Sequence, residues 1–216
     1  MVKCNMPGIA ALELPWFYGH LTGYYENCEY ETKKWCIENI KEDWVCIDAG
    51  ANIGYYTILY AQRASKGWVH AFEPTETFKM LVKNVEYNKV KNVNLMQTAL
   101  GEYTGKFRET LQKCWGLEVE SARYDFMSID YYCKKYKVDR IDLIKIDTDG
   151  FDFEILKGAK QTIKKYNPYI IVEIYEPALE IRKHTSDEVL AWLGNMGFGT
   201  YRVLEDNNVL LKLGSE

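Results

Sequence analysis

The chain predicts an α/β domain: a largely parallel sheet between two layers of helices, a three-layer αβα sandwich. Three observations carry this. Short apolar runs alternate with segments of helical periodicity, the pattern of successive βαβ units. Most of these runs are apolar at consecutive positions, as strands buried on both faces are. The run Val45-Cys46-Ile47 ends in Asp48 and opens into the glycine-bearing turn Gly50-Ala51-Asn52-Ile53-Gly54, which leads into Tyr55-Tyr56-Thr57. Strand, ligand-sized loop and helix follow one another there without an intervening segment.

Taken in order, residues around Leu14-Pro15-Trp16-Phe17-Tyr18-Gly19-His20 are turn-rich and aromatic, and 24–40 read as a polar, partly amphipathic helix. Strands are expected at 44–48, 68–72, 93–98, 141–147, 169–175, 199–204 and 209–213. Helices are expected at 55–64, 78–88, 128–137, 151–166 and 186–196, with Pro168 and Gly197 just past two helix ends, where each blocks or terminates helix. Asp206-Asn207-Asn208 is a turn sequence, so the last two strands form a hairpin and one of them runs antiparallel. Residues 101–125 read either as a hairpin insertion or as an active-site loop. The whole is expected to be one domain, 1–40 an N-terminal helical extension or lid and 41–216 the core.

With 216 residues, 47% of them hydrophobic, the chain buries a core that needs no disulfide or metal. A formal net charge of −4 gives no electrostatic footprint for a phosphate backbone, which argues against a nucleic-acid partner. Cys4, Cys28, Cys36, Cys46, Cys114 and Cys133 contain no CxxC pair and read as reduced structural thiols in a cytoplasmic setting. No run approaches the roughly 18 apolar residues of a membrane span, so no membrane partner is expected. The 17 Tyr fit either a site for flat or sugar ligands or a Tyr-rich core.

Ligands of open α/β sheets bind beyond the carboxyl ends of strands, where Asp48, Glu73, Thr98 and Asp147 all fall. Gly50 lets the backbone approach a ligand closely. A dinucleotide fingerprint starting there needs glycine at Asn52 and Tyr55, whose side chains obstruct a pyrophosphate, and no Walker lysine follows. A phosphate-free nucleoside fits better: Glu73 suits two ribose hydroxyls and the nearby acids suit a cation. S-adenosylmethionine combines ribose, ammonium and sulfonium.

Asp48-Ala49-Gly50-Ala51-Asn52-Ile53-Gly54-Tyr55-Tyr56-Thr57, Ala71-Phe72-Glu73-Pro74, Ala99-Leu100-Gly101, Lys145-Ile146-Asp147-Thr148-Asp149-Gly150-Phe151-Asp152 and Leu156-Lys157-Gly158-Ala159 together resemble the FkbM family of S-adenosylmethionine-dependent methyltransferases. The resemblance runs from Val45 to about Glu173. It implies the class I, Rossmann-like methyltransferase fold, with seven strands of which the last is antiparallel, and methylation of hydroxyl oxygens on sugars or natural products. Carried over by position, it implies that Asp48, Gly50 and Asn52 hold the methionine end, Glu73 the ribose, and Pro74, Thr98 and Ala99 the adenine surroundings. Tyr55 and Asp147 are counted with these cofactor contacts. Asp149 stands where the family usually has glutamate, one methylene longer.

Methyl transfer to a hydroxyl needs proximity and a group to take the alcohol proton. Asp147 and Glu173, at the ends of neighbouring strands, are the candidate bases, and Asp147 has the better position. Asp147 also reads as a helix cap, and Glu173 as a brace for Lys145 or Tyr175. Lys145 is either a contact to substrate or carboxylate or a residue snorkelling to solvent. Asp147 and Asp149 offer a thin ligand set for a divalent cation such as Mg²⁺, which the sequence does not require. His70 reads as a core histidine. His20, His184 and the Trp16-Phe17-Tyr18 cluster fit either a lid, with the aromatics stacking on a sugar face, or plain packing.

The expected activity is therefore O-methylation of a sugar or glycan hydroxyl, for instance on a deoxyhexose, by a whole protein or by one domain of a larger glycan-modifying enzyme. A non-sugar small-molecule acceptor is the alternative. A base-flipping methyltransferase is disfavoured because Asn167-Pro168-Tyr169 precedes the fifth strand instead of following the fourth. A nicotinamide oxidoreductase is disfavoured by Asn52 and Tyr55, and a noncatalytic cofactor-binding module by the acids at every strand end.

Overall fold

The computed structural model describes residues 2–4, 12–19, 23, 28–112, 119–199, 201–205 and 207–214. Strands β1 (Val2–Cys4) and β2 (Leu12–Leu14) form a small antiparallel pair ahead of helix α1 (Tyr30–Asn39). The core then alternates: β3 (Val45–Ala49), α2 (Tyr55–Arg63), β4 (Trp68–Phe72), α3 (Phe78–Tyr87) and β5 (Val93–Met96). After an excursion through β6 (Ala99–Leu100), β7 (Gly105–Gln112) and β8 (Val119–Met127), it resumes with α4 (Ile129–Tyr136) and β9 (Leu143–Ile146). Helices α5 (Asp152–Gly158) and α6 (Lys160–Tyr166), strand β10 (Tyr169–Glu173), helices α7 (Glu176–Ile181) and α8 (Ser186–Asn195), and strands β11 (Tyr201–Val203) and β12 (Asn208–Leu211) complete it.

The central sheet has seven strands in the order β11-β12-β10-β9-β3-β4-β5. Strands β10, β9, β3, β4 and β5 pair in parallel, and β12 lies antiparallel between β10 and β11. The expected α/β class, the parallel core and the antiparallel last strand are all present. One apolar cluster, with Trp35, Ile58, Leu59 and Leu81, covers the face toward α1, α2 and α3; Leu12 and Leu14 of β2 are buried in it. The other, with Ile129, Ile155, Ile163 and Leu193, covers the face toward α4, α5, α6 and α8.

Where the elements depart from or decide between the expected readings, the causes are local. The 93–98 run leaves the main sheet after Met96, because its neighbour β4 ends at Phe72; Ala99 and Leu100 pair instead with Phe126 and Met127 of β8. Residues 101–125 are a long antiparallel hairpin, Gly105 to Gln112 against Val119 to Phe126, whose tip at 113–118 lies outside the described residues. The expected helix 151–166 breaks at Ala159, where Asp130 of α4 accepts from Gln161 N (2.9 Å) and Thr162 N (2.7 Å) and so caps the second half. Gly158 sits at that break because a Cβ there would lie 2.1 Å from the Gly101 carbonyl oxygen. Helix α7 was not anticipated, being too short to show a period. Of the expected helix 24–40, residues 24–27 lie outside the described residues and α1 begins at Tyr30.

Cys36, Cys46 and Cys133 are unbridged thiols. No helix among the described residues is long and apolar enough to cross a membrane.

Candidate active site

The registers bring three loops to one edge of the sheet. Ala49 pairs with Phe72 on one side and with Ile146 on the other, so Gly50, Glu73 and Asp147 emerge side by side. Backbone bonds continue past the strand ends: Gly50 N and Ala51 N donate to Phe72 O (3.0 and 2.9 Å), and Asp147 N donates to Ala49 O (3.1 Å). Gly50 has φ +82°, and a Cβ there would stand 1.8 Å from the Asp147 carbonyl oxygen, so no other residue fits between the two loops.

A cleft of about 660 Å³ opens at this edge. Of the sequence candidates, Gly50, Asn52, Glu73, Pro74, Thr98, Ala99, Asp147 and Asp149 line it. Thr110, Leu111 and Gln112 of β7 close it from the hairpin side, and Phe151 lies at its end. Phe151 belongs to a motif already quoted; Thr110, Leu111 and Gln112 fall in the 101–125 segment, where no signal singles them out, because only the fold of the hairpin brings β7 over the strand ends.

Asp48, Tyr55, Lys145 and Glu173 are placed behind the cleft wall rather than in it. Asp48 is 1% exposed and accepts from Thr57 Oγ1 of α2 at 2.5 Å. Burial pushes its carboxyl up to about 6, against the opposing pull of Lys145 and Thr57. Tyr55 is buried against Tyr56, with Lys33 Nζ 5.1 Å from its ring centroid.

Lys145 is 2% exposed, and its Nζ donates to Asp147 Oδ2 at 2.5 Å while lying 4.5 Å from the Tyr56 ring centroid. Burial alone lowers an ammonium pKa, but Asp147, Glu29 and Asp48 together hold this one above its ordinary value. Lys145 therefore contacts carboxylates and does not reach solvent. Glu29, just before α1, gave no signal in the sequence.

Val172 pairs with Ile146, so Glu173 stands level with Asp147 on the next strand. Burial, then the charges of Asp147, Asp152 and Asp149, push the Glu173 carboxyl up to about 9, so it is neutral at pH 7. Asp149 is pushed up to about 6 by burial and by Asp147. Asp152 shapes the loop itself: Oδ1 accepts from Thr148 N (3.0 Å) and Thr148 Oγ1 (3.1 Å), and Oδ2 from Gly150 N (2.9 Å). Asp152, not Asp147, is the carboxylate that braces the start of α5.

Glu73 is 5% exposed. Its Oε2 accepts from Asn52 N at 3.0 Å, and its Oε1 accepts from Thr75 N (2.9 Å) and Thr75 Oγ1 (2.6 Å). Burial raises its carboxyl from the ordinary value, and these three donors oppose that. The Asn52 bond fixes the β3–α2 loop to the end of β4.

The remaining candidates fall elsewhere. His70 is a core histidine: its Nδ1 is 2.8 Å from Tyr132 Oη and 3.3 Å from Asn94 Nδ2, and burial lowers its pKa to about 4. His184 Nε2 is 3.2 Å from Glu154 Oε1, away from the cleft. Trp16 is clamped by Asn84, which accepts from Trp16 N and donates to Trp16 O, and Tyr18 Oη is 2.9 Å from Thr77 Oγ1. His20 lies outside the described residues. Among the described residues no cluster of three or more His, Cys, Asp or Glu is placed to hold a metal ion.

Among the described residues the cleft lining contains Glu73, Asp147 and Asp149 and no lysine or arginine. That donor set suits a nucleoside carrying positive charge and repels a pyrophosphate. The Methyltransferase FkbM domain model matches residues 48–199, well over half of the chain. The chain belongs to the FkbM methyltransferase family. The family is one of S-adenosylmethionine-dependent methyltransferases, and the acidic cleft, lined by Glu73 and Gly50, fits that cofactor.

Relatives of this FkbM chain include the hexuronic acid methyltransferase AglP of Haloferax volcanii, 27% identical over 68% of this chain and 62% of that protein. The 2-O-methyltransferase NoeI of Sinorhizobium fredii is 24% identical over 66% of this chain and 70% of that protein. Among solved structures, the fold is shared with Methyltransferase FkbM from Methylobacillus flagellatus (TM-score 0.57, 18% identity), covering 80% of this chain and 44% of that one. It is shared too with SMU.1697c from Streptococcus mutans, in complex with SAH (TM-score 0.55, 14% identity, 85% of this chain and 96% of that one). An rRNA methylase from Streptococcus thermophilus has it as well (TM-score 0.53, 13% identity, 85% and 95%). The FkbM chain thus spans less than half of the Methylobacillus chain and under two thirds of AglP.

Proposed function

We propose that the chain methylates a hydroxyl oxygen of a sugar or glycan, with Asp147 as the group that takes the alcohol proton. The observation that carries this reading is the Asp147 side chain: it lines the cleft, one third exposed, and is held by a buried lysine. S-adenosylmethionine, when bound, supplies a methyl group already activated on sulfonium. The protein's task is then to bind, orient and handle one proton. Gly50 and Asn52 would receive the methionine end, Glu73 the ribose, and Pro74, Thr98 and Ala99 the adenine.

Asp147 Oδ2 is tied to Lys145, which leaves Oδ1 to accept the alcohol proton. Lys145 is a positioning residue: it keeps the carboxylate in one rotamer and stabilises its charge. Glu173, neutral at pH 7, is not ready to accept a proton and serves to keep a further negative charge away from Asp147. A sugar acceptor is supported by the printed name of AglP and methylation at oxygen by that of NoeI, and a lining without lysine or arginine among the described residues fits a small molecule better than a nucleic-acid backbone.

The test is a methyl-transfer screen with labelled S-adenosylmethionine over deoxyhexoses, hexoses and small alcohols, with Mg²⁺ and with chelator. A sugar product is expected, and Asp147→Asn should lower turnover by about two to four orders of magnitude while SAH still binds. Near-normal turnover in that variant removes Asp147 from the role. Transfer to non-sugar alcohols alone removes the sugar.

A further inference from the structure

A second cleft, also about 660 Å³, lies on the far side of Phe151, between the β7–β8 hairpin, α5 and Arg182 just past α7. Phe151 lines both clefts. Strand β7 connects them as well: Phe107 and Glu109 line the second cleft, and Thr110, Leu111 and Gln112, further along the strand, line the first.

The interior is a chain of opposite charges between rings. Arg182 Nη1 is 2.9 Å from Glu109 Oε2, its Nε is 3.6 Å from Glu154 Oε1, and Lys157 Nζ is 3.2 Å from Glu102 Oε2. The Arg182 guanidinium carbon stacks 3.8 Å from the Phe151 ring centroid. Tyr103 and Phe107 stand 68% and 41% exposed beside it. Glu154 Oε2 is buried with no hydrogen-bond partner among the described residues, so one acceptor in this wall is left over.

We infer that this second cleft is an acceptor subsite for a neutral, polyhydroxylated unit, the sugar next to the one that is methylated. The inference rests on the sugar O-methyltransferase reading. Each hydroxyl of a sugar both donates and accepts, so vicinal hydroxyls match a wall in which carboxylate and cation alternate, and the apolar face of the ring matches exposed aromatic edges. Neutrality follows from the charges: three carboxylates face two cations, and each cation already has a carboxylate partner. Among the described residues a ligand carboxylate would find no free positive charge there and would meet three like charges.

The experiment titrates the full chain, loaded with SAH, with neutral disaccharide methyl glycosides of hexoses and deoxyhexoses and with the matching glucuronides. Binding is followed by calorimetry and amide chemical shifts. A neutral glycoside should shift the amides of Glu102, Phe107, Glu109 and Phe151 and bind more tightly than its glucuronide. Phe107→Ala and Arg182→Ala should each weaken it about tenfold and leave SAH affinity within about twofold. Preference for the glucuronide, shifts confined to other regions, or no binding by any neutral glycoside overturns the subsite. Sugar methylation with KM unchanged in both variants overturns it too, while the parent reading stands. Methylation of non-sugar alcohols alone instead removes the parent reading.

Discussion

Lys145 Nζ, on a side chain 2% exposed, sits 2.5 Å from Asp147 Oδ2, two positions on and just past the end of β9. The register of β3 with β9 adds Asp48 opposite Lys145. One ammonium thus serves several acids under the floor of the cleft, with Glu29 joining from the segment before α1.

Removing that ammonium leaves buried carboxylates uncompensated. Lys145→Met should cost about 3 kcal/mol of stability at pH 7, read from urea unfolding. Destabilisation well under 1 kcal/mol would show that the acids relax by taking up protons or water.

Glu173 makes the fold sensitive to alkali. Its carboxyl titrates near 9 in the folded chain and near its ordinary 4.5 when unfolded, so between these values the native state holds the extra proton. Its contribution to stability is fully present below pH 4.5 and is lost as pH rises toward 9. Glu173→Gln, which keeps the neutral form, should flatten the fall in melting temperature between pH 6 and 9 and raise stability at pH 8 by at least about 1 kcal/mol, one pKa unit's worth. An unchanged pH profile would remove Glu173 as its cause.

Glu73 should matter for the cofactor more than for the fold. Glu73→Gln keeps an acceptor but loses the charged acceptor for the ribose hydroxyls and forces an NH₂ toward the Asn52 or Thr75 donors. SAH affinity should drop by about 1 to 3 kcal/mol in calorimetry. Affinity equal to wild type would refute the ribose assignment.

Gly50 is the tightest point of the site. Gly50→Ala combines a left-handed backbone with a Cβ 1.8 Å from the Asp147 carbonyl oxygen. We expect a loss of about 2 to 5 kcal/mol in unfolding free energy, together with SAH binding. A variant that melts and binds like wild type would mean that the two loops can separate.

What the sequence alone determined is what lies close along the chain. Apolar alternation set the strands and helices, strand ends located Glu73 and Asp147, and the missing glycines at Asn52 and Tyr55 pointed away from a pyrophosphate. The same local view identified His70 as a core residue, since it stands inside an apolar run. What only the tertiary structure decided is which way a side chain turns and what meets it from afar. Asp48 lies inside β3 and is buried against Thr57 of α2, while Gly50, past the end of the strand, reaches the cleft. Glu29 near Lys145, and Thr110 and Leu111 over the strand ends, are brought in by packing across long sequence separations, for which no periodicity in a single chain leaves a trace.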